Sequence, residues 1–256
     1  MKRFFDLARK TWLYLLEALQ HPIAAPRVFW LVAFRRTHLG GYLKFSRYRR
    51  WFESQKIQTV FDVGAHQGEF ASVIRAILPA AQIYSFEPQP DCYEKLAERF
   101  HGRDHFRSFC VAVGDRQGKT TFWRSSFSKA SSVLPMGELH KTSFPWSDKT
   151  TPVEVEMNTL DGLAGDLKLE GGVLLKVDVQ GFEDRVLRGA TETLKRVDLI
   201  LVETSLKPLY EGQASFHGIY NLLVNAGFEY AGNLDQLESP KDAAILQADA
   251  LFVRKG

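Results

Sequence analysis

Cysteine is almost missing from this chain, with only Cys92 and Cys110 among 256 residues. Two thiols in no metal-ligand spacing exclude a disulfide-stapled secreted fold and a structural zinc domain, and they point to a reducing compartment. His101 and His105 stand four apart, but they lack a third ligand and the glutamate of a zinc-binding helix, so a solvated helix end is expected there. No membrane-spanning run is evident in the N-terminal part, where the apolar stretch Val28 to Phe34 is bracketed by Arg27 and Arg35-Arg36 and falls far short of a bilayer span. A secretory leader is not expected, because Asp6, Arg9 and Lys10 interrupt any apolar segment. There is no internal repeat.

With 45% hydrophobic residues the chain can bury a full core as one large domain with an appendage. Its net charge of +3 is unevenly spread. Residues 1–56 carry twelve Lys and Arg against three Asp and Glu, whereas the remaining 200 residues carry 21 against 27. Phe4, Ala8, Trp12, Leu15 and Leu19 repeat at helical spacing, and Tyr42, Phe45, Trp51 and Phe52 are interleaved with Lys44, Arg47, Arg49 and Arg50. Residues 1–56 are therefore expected to form a basic, aromatic-rich helical extension before a domain at 57–256. Three readings stay open for it: a cap packed on the domain, a contact with an anionic membrane surface or a second copy of the chain, and a grip on nucleic acid, the least expected. The location this implies is cytoplasmic, with peripheral contact at the inner face of the membrane if the second reading holds.

The most informative stretch runs from Val60 through Asp62-Val63-Gly64-Ala65-His66-Gln67-Gly68 and is followed by Phe86-Glu87-Pro88. An apolar strand ends near a carboxylate, turns through two glycines into a helix, and meets a second acidic strand end 23 residues after Gly64. That is how a βαβ unit binds an adenosine-containing cofactor. The spacing is Gly-x-x-x-Gly, with His66 where a dinucleotide fold would place its middle glycine. Asp62 would repel a pyrophosphate but would attract an ammonium and a sulfonium. S-adenosylmethionine is therefore the expected cofactor, with Asp62, Gly64, Ala65, His66 and Gly68 around its charged part, Glu87 on its ribose hydroxyls beside Phe86 and Pro88, and Ala112 also in the site.

From residue 57 strands and helices alternate, as a doubly wound α/β fold requires. Strands are expected at 57–63, 82–86 and near 105–113, separated by helices from Gly68 to about Leu78 and from about Pro90 to Phe100. Residues 114–151 show no long helical period, are rich in Ser and Thr, and hold Phe122, Trp123, Phe127, Phe144 and Trp146. A loop of that length is more often a lid than filler, so this segment is expected to cover the acceptor. Beyond it, a strand at 153–157 and a short helix after Thr159-Leu160-Asp161 precede the strand Val173 to Asp178. A helix from about Glu183 to Arg196 comes next, then the strand Leu199 to Val202, a helix near 215–226, and strands at 228–232 and 248–254. Four strands thus end on acids, namely Asp62, Glu87, Asp178 and Glu203, at the sheet edge where such folds bind ligands.

With these elements in place, the chain resembles the FkbM family of S-adenosylmethionine-dependent methyltransferases over about residues 57–255. The resemblance rests on Asp62 to Gly68, Phe86-Glu87-Pro88, Ser131-Ser132, Thr159-Leu160-Asp161, Lys176-Val177-Asp178-Val179-Gln180-Gly181-Phe182-Glu183 and Ala248 to Val253. Gln180 stands where many members carry Glu. The resemblance implies a class I methyltransferase (Rossmann-like) fold with a seven-stranded doubly wound sheet, its last strand antiparallel. It also implies methylation of hydroxyl oxygens of sugars, glycans or related natural products.

Because an alcohol is a weak nucleophile, something must take its proton. Asp178, His140 or His217 is expected as general base, or Asp178 and Glu203 together would hold Mg²⁺ and acidify the hydroxyl. For Glu183 an N-terminal helix acid is the preferred reading. Nucleic-acid methylation is not expected, since the Asn/Asp-Pro-Pro-aromatic tetrad of N-methyltransferases is replaced by Asp178-Val179-Gln180-Gly181 and neither cysteine follows a proline. A non-catalytic S-adenosylmethionine-binding module would have lost its cofactor acids, which are present.

Overall fold

In a computed structural model that describes Phe45 and residues 48–256, the chain enters through a short helix, α1 (Arg49–Ser54), and drops into β1 (Ile57–Val63). All of β1 except Gln58 is buried, as a strand covered on both faces must be. Helix α2 (Glu69–Ile77) turns Ala71, Val73, Ile74 and Ile77 inward and stops ahead of Pro79. β2 (Gln82–Phe86) leads to α3 (Pro90–Arg99), which has proline in its first turn, where no backbone donor is needed.

Seven strands form one sheet in the order β3-β2-β1-β7-β8-β10-β9. Its remaining members are β3 (Phe106–Phe109), β7 (Gly172–Val177), β8 (Leu199–Ser205), β9 (Phe228–Glu238) and β10 (Ile245–Arg254). β10, the last strand of the chain, lies antiparallel between β8 and β9. One apolar cluster joins α1, α2 and α3 to one face of the sheet; a second joins the other face to α5 (Leu160–Ala164), α6 (Glu183–Arg188), α7 (Thr191–Leu194) and α8 (Phe216–Asn225). The doubly wound architecture with an antiparallel final strand is therefore present.

Three sequence expectations need correction. The strand expected at 105–113 is two strands, because the Phe109 carbonyl accepts the Glu87 N–H and the chain then leaves the main sheet at Cys110. The second of the two, β4 (Ala112–Gly114), joins β6 (Thr150–Thr159) and β5 (Gly118–Ser125) in a separate sheet. Nor is 114–151 a structureless loop: it contains β5, a 3₁₀ turn at Ser128–Ala130 and α4 (Glu138–Ser143), over a small core of Ala112, Phe122, Val155, Met157 and Phe182. Finally, the helix expected over 183–196 breaks at Gly189, where a Cβ would lie 2.0 Å from the Gly114 carbonyl oxygen. The Asp161 carboxylate then starts α7 by accepting the N–H groups of Glu192 and Thr193 and the Thr193 hydroxyl.

Of the N-terminal extension, Phe45, Tyr48, Trp51 and Phe52 pack into the cluster around α2, with Phe45 edge-on to Phe70 at 5.5 Å between ring centroids. These four residues pack on the domain. The expected membrane or oligomer contact concerns mainly residues 1–44, 46 and 47, which lie outside the described residues. No described helix is long and apolar enough to cross a membrane.

Candidate active site

A cavity of about 790 Å³ opens above the C-terminal ends of β1, β2, β7 and β8. That is the sheet edge where parallel α/β folds place ligands, and the volume suits a small molecule. Glu87 stands at one end and Asp178 with Glu203 at the other, with Gly64, Ala65 and Lys176 between.

At the first end the turn after β1 is built by close approach. Gly64 has φ +77°, and a Cβ there would lie 1.8 Å from the Asp178 carbonyl oxygen. The N–H groups of Gly64 and Ala65 both donate to the Phe86 carbonyl, at 3.0 Å each, tying this turn to the end of β2. Gly68, at φ +82°, precedes α2 and leaves room for Leu96 and Phe100. Glu87 is buried; its Oε2 accepts the His66 N–H at 2.8 Å and its Oε1 the Gln89 N–H at 2.9 Å. Burial raises its pKa, and these backbone donors oppose the rise. His66 itself is a non-glycine residue at φ +49°. Burial opposes its charge, but the Cys92 sulfur and the Glu69 carboxylate outweigh that and raise its pKa to about 9.

Asp62 differs from expectation. Its side chain has no exposed surface and does not line the cavity. Instead its Oδ1 lies 3.3 Å from the Nζ of Lys176, a residue for which the sequence alone suggested no role. Lys176 also donates to the Gly64 carbonyl at 2.9 Å and lies 3.6 Å from Asp178 Oδ2. Burial alone would discharge this ammonium, yet Asp178 and Asp62 raise its pKa above the usual lysine value. A lysine in the apolar run Val173 to Val177 was the available signal, since a buried charge demands a partner.

At the second end, Gln180 takes φ +58° and turns its amide between two acids. Nε2 donates to Asp178 Oδ1 and to Glu203 Oε2, both at 2.8 Å, and Oε1 accepts from the Tyr210 hydroxyl at 2.9 Å. Gln247 donates a further 2.8 Å bond to Glu203 Oε2. Burial, and after it the neighbouring charge of Asp178, pushes the Glu203 carboxyl well above the usual range. Buried Glu183 accepts the N–H groups of Val179 and Gly181 through Oε1, and burial raises its pKa to about 7. It shapes the loop, in keeping with its position at the start of α6.

The remaining candidates lie elsewhere. His140 is buried against Phe144 and Tyr210 and does not line the cavity; burial lowers its pKa to about 4. His217 is exposed and bonds Asn221 along α8. Ala112 and Phe122 reach the cavity wall, whereas Trp123, Phe144 and Trp146 do not. The Mg²⁺ expected at Asp178 and Glu203 does not fit this arrangement, because the space between the carboxylates is taken by the Gln180 amide donor and an ammonium already faces Asp178. Among the described residues no cluster of three or more His, Cys, Asp or Glu is arranged to hold a metal.

Comparison with known proteins gives the family. The methyltransferase FkbM domain matches residues 62–230. The chain is 32% identical over 170 residues to 2-O-methyltransferase NoeI of Sinorhizobium fredii, covering 64% of this chain and 70% of that protein. It is 27% identical over 156 residues to hexuronic acid methyltransferase AglP of Haloferax volcanii, covering 59% of this chain and 57% of the other. A solved fibrillarin from Aeropyrum pernix holding S-adenosyl-L-methionine aligns with 77% of this chain and 66% of its own, at 13% identity and a TM-score of 0.43, too distant to carry residue roles across.

Proposed function

The chain belongs to the FkbM methyltransferase family and is an S-adenosylmethionine-dependent methyltransferase, and on that premise we propose that it methylates a hydroxyl oxygen of a sugar or glycan. What carries this reading is a cavity with a buried acid, Glu87, held by two main-chain N–H groups at one end and an amide-bridged acid pair at the other. The names of the two relatives support the acceptor class, one through 2-O-methylation and the other through a hexuronic acid.

When bound, S-adenosylmethionine supplies an electrophilic methyl group on a sulfonium. Glu87 fits its ribose, because each carboxylate oxygen spends one lone-pair site on a backbone N–H and keeps capacity for a hydroxyl. Gly64 and Ala65 bring bare backbone to the middle of the cavity, and Asp62 acts indirectly, by fixing Lys176.

Asp178 is the acid placed to accept the acceptor's proton. Its side chain is 38% exposed, lines the cavity, and is oriented by Gln180 on one oxygen and Lys176 on the other. Burial raises the pKa of Glu203, and its Oε2 accepts from the Gln180 and Gln247 amides, so it serves as the far anchor of the Gln180 amide. Phe122, Ser131 and Val133 of the second sheet and its turn close the cavity and exclude water around the transfer. The segment at 114–151 thus covers the site as a folded hairpin.

Transfer of isotopically labelled methyl from S-adenosylmethionine into fractionated cellular glycans and glycolipids, with mass spectrometry of the products, tests this reading. Label on a sugar oxygen is the expected result. Label confined to RNA or protein would overturn it.

A further inference from the structure

Glu87 is part of a closed ring of hydrogen bonds that the second sheet completes. The two backbone donors that hold its oxygens belong to His66 and Gln89, and the side chains of both residues reach Ser128. His66 Nε2 lies 2.8 Å from Ser128 Oγ, and Gln89 Nε2 donates to the Ser128 carbonyl at 3.2 Å. Next in the 3₁₀ turn, Lys129 Nζ lies 3.3 Å from Glu69 Oε1, while Glu69 also faces His66 Nδ1 at 3.3 Å. Ser128, Lys129 and Ser131 line the same cavity as Glu87.

The hairpin does not need this bond for its own shape. Ser131 Oγ already accepts the Ser125 N–H, Ser132 Oγ donates to the Gln180 carbonyl, and Trp123 and Ser132 exchange backbone bonds. His66, by contrast, holds a left-handed backbone conformation that costs a non-glycine residue energy, and its ring is bonded on both nitrogens. Strain at one residue whose N–H holds Glu87 and whose ring bonds Glu69 and Ser128 marks a constraint on the site.

On the reading that Glu87 holds the cofactor ribose, we propose that Ser128 is a positioning residue for the cofactor. Through His66 and Gln89 it fixes the two amides that aim Glu87, so donor binding and docking of the 128–131 turn favour each other. By reciprocity of coupled equilibria, whatever the turn adds to donor affinity the donor returns to the turn.

Calorimetry with S-adenosylhomocysteine on the full chain reads the first half of that coupling. Ser128→Ala is expected to weaken binding about three- to tenfold, the size of one lost hydrogen bond. Ser128→Thr, which keeps the hydroxyl, should restore it. Ser126→Ala, which removes a bond to the Trp146 carbonyl away from the ring, should leave it alone. His66→Ala and the double variant His66→Ala/Ser128→Ala should bind equally, since both act through one bond. Hydrogen exchange reads the second half: the ligand should slow exchange of the 128–131 amides in the wild type and less so in Ser128→Ala. Wild-type affinity and protection in Ser128→Ala would overturn the role of Ser128. If Glu87→Ala weakened binding in that case, only Ser128 would be discounted; if Glu87→Ala also bound normally, the placement of the ribose would fall with it.

Discussion

The two ends of the cavity hold their carboxylates by different means. Glu87 is gripped by main-chain N–H groups of its own neighbourhood, from His66 and Gln89. Asp178 and Glu203 are gripped by side chains, the Gln180 and Gln247 amides and the Lys176 ammonium. A main-chain grip comes with the turn itself, and side chains such as Ser128 only adjust its aim. A side-chain grip depends on each residue named. The first arrangement suits a binding group whose charge stays fixed; the second suits a group that must exchange a proton.

If that division holds, the ends should separate cleanly in kinetics. Asp178→Asn should lower turnover by roughly 10² to 10⁴ through loss of a general base, with donor affinity changed by less than about threefold. Glu87→Ala should do the reverse, weakening the donor about ten- to a hundredfold through loss of a charge-assisted bond while turnover at saturating donor falls far less. Both variants failing in the same parameter would erase the contrast.

Lys176 lies at the junction and sharpens it further. Lys176→Met leaves Asp62 buried without its counter-charge, which should cost roughly 3 to 5 kcal/mol in urea unfolding. A loss below about 1 kcal/mol would mean that Asp62, whose pKa burial already raises, takes up a proton once the ammonium is gone.

The smallest effect at neutral pH concerns His140, which is outside both ends. Its folded pKa is depressed to about 4, so between about 6.5 and 4 the unfolded chain binds a proton that the folded chain does not. Stability therefore falls as pH drops through that window, and His140→Phe should flatten the slope by about one proton. His66 has the opposite sign: raised to about 9, it contributes stability below about 6.5 that disappears as pH climbs through 9. An unchanged acid slope in His140→Phe would show that His140 is not the residue responsible.

The alternation of strands and helices was legible because parallel strands buried on both faces read as apolar runs, and because Gly64, Gly68 and Pro79 punctuate them, whereas the antiparallel β10 was implied only by the family resemblance. The place of Glu87 at the end of β2, on the cavity wall, was legible through its motif. Asp62 misled, since a strand-end acid reads alike whether it faces a ligand or a lysine on the adjacent strand, and Lys176 sits in a strand that already looked complete. The Gln180 bridge depends on a φ of +58° and on Tyr210, thirty residues downstream, and no local pattern announces either. The break at Gly189 and the two-strand path at 106–114 were hidden for a related reason: each is imposed by a distant backbone segment rather than by local propensity.

Gly64 gives that long-range dependence a practical edge. The turn after β1 touches the main chain of Asp178 so closely that no side chain fits between them. The turn after β1 and the loop after β7 are therefore mounted on one rigid joint. Gly64→Ala would force aside the main chain of Asp178 as well as the turn, so on the proposed roles of Glu87 and Asp178 an inactive Gly64 variant says nothing by itself about whether the donor still binds.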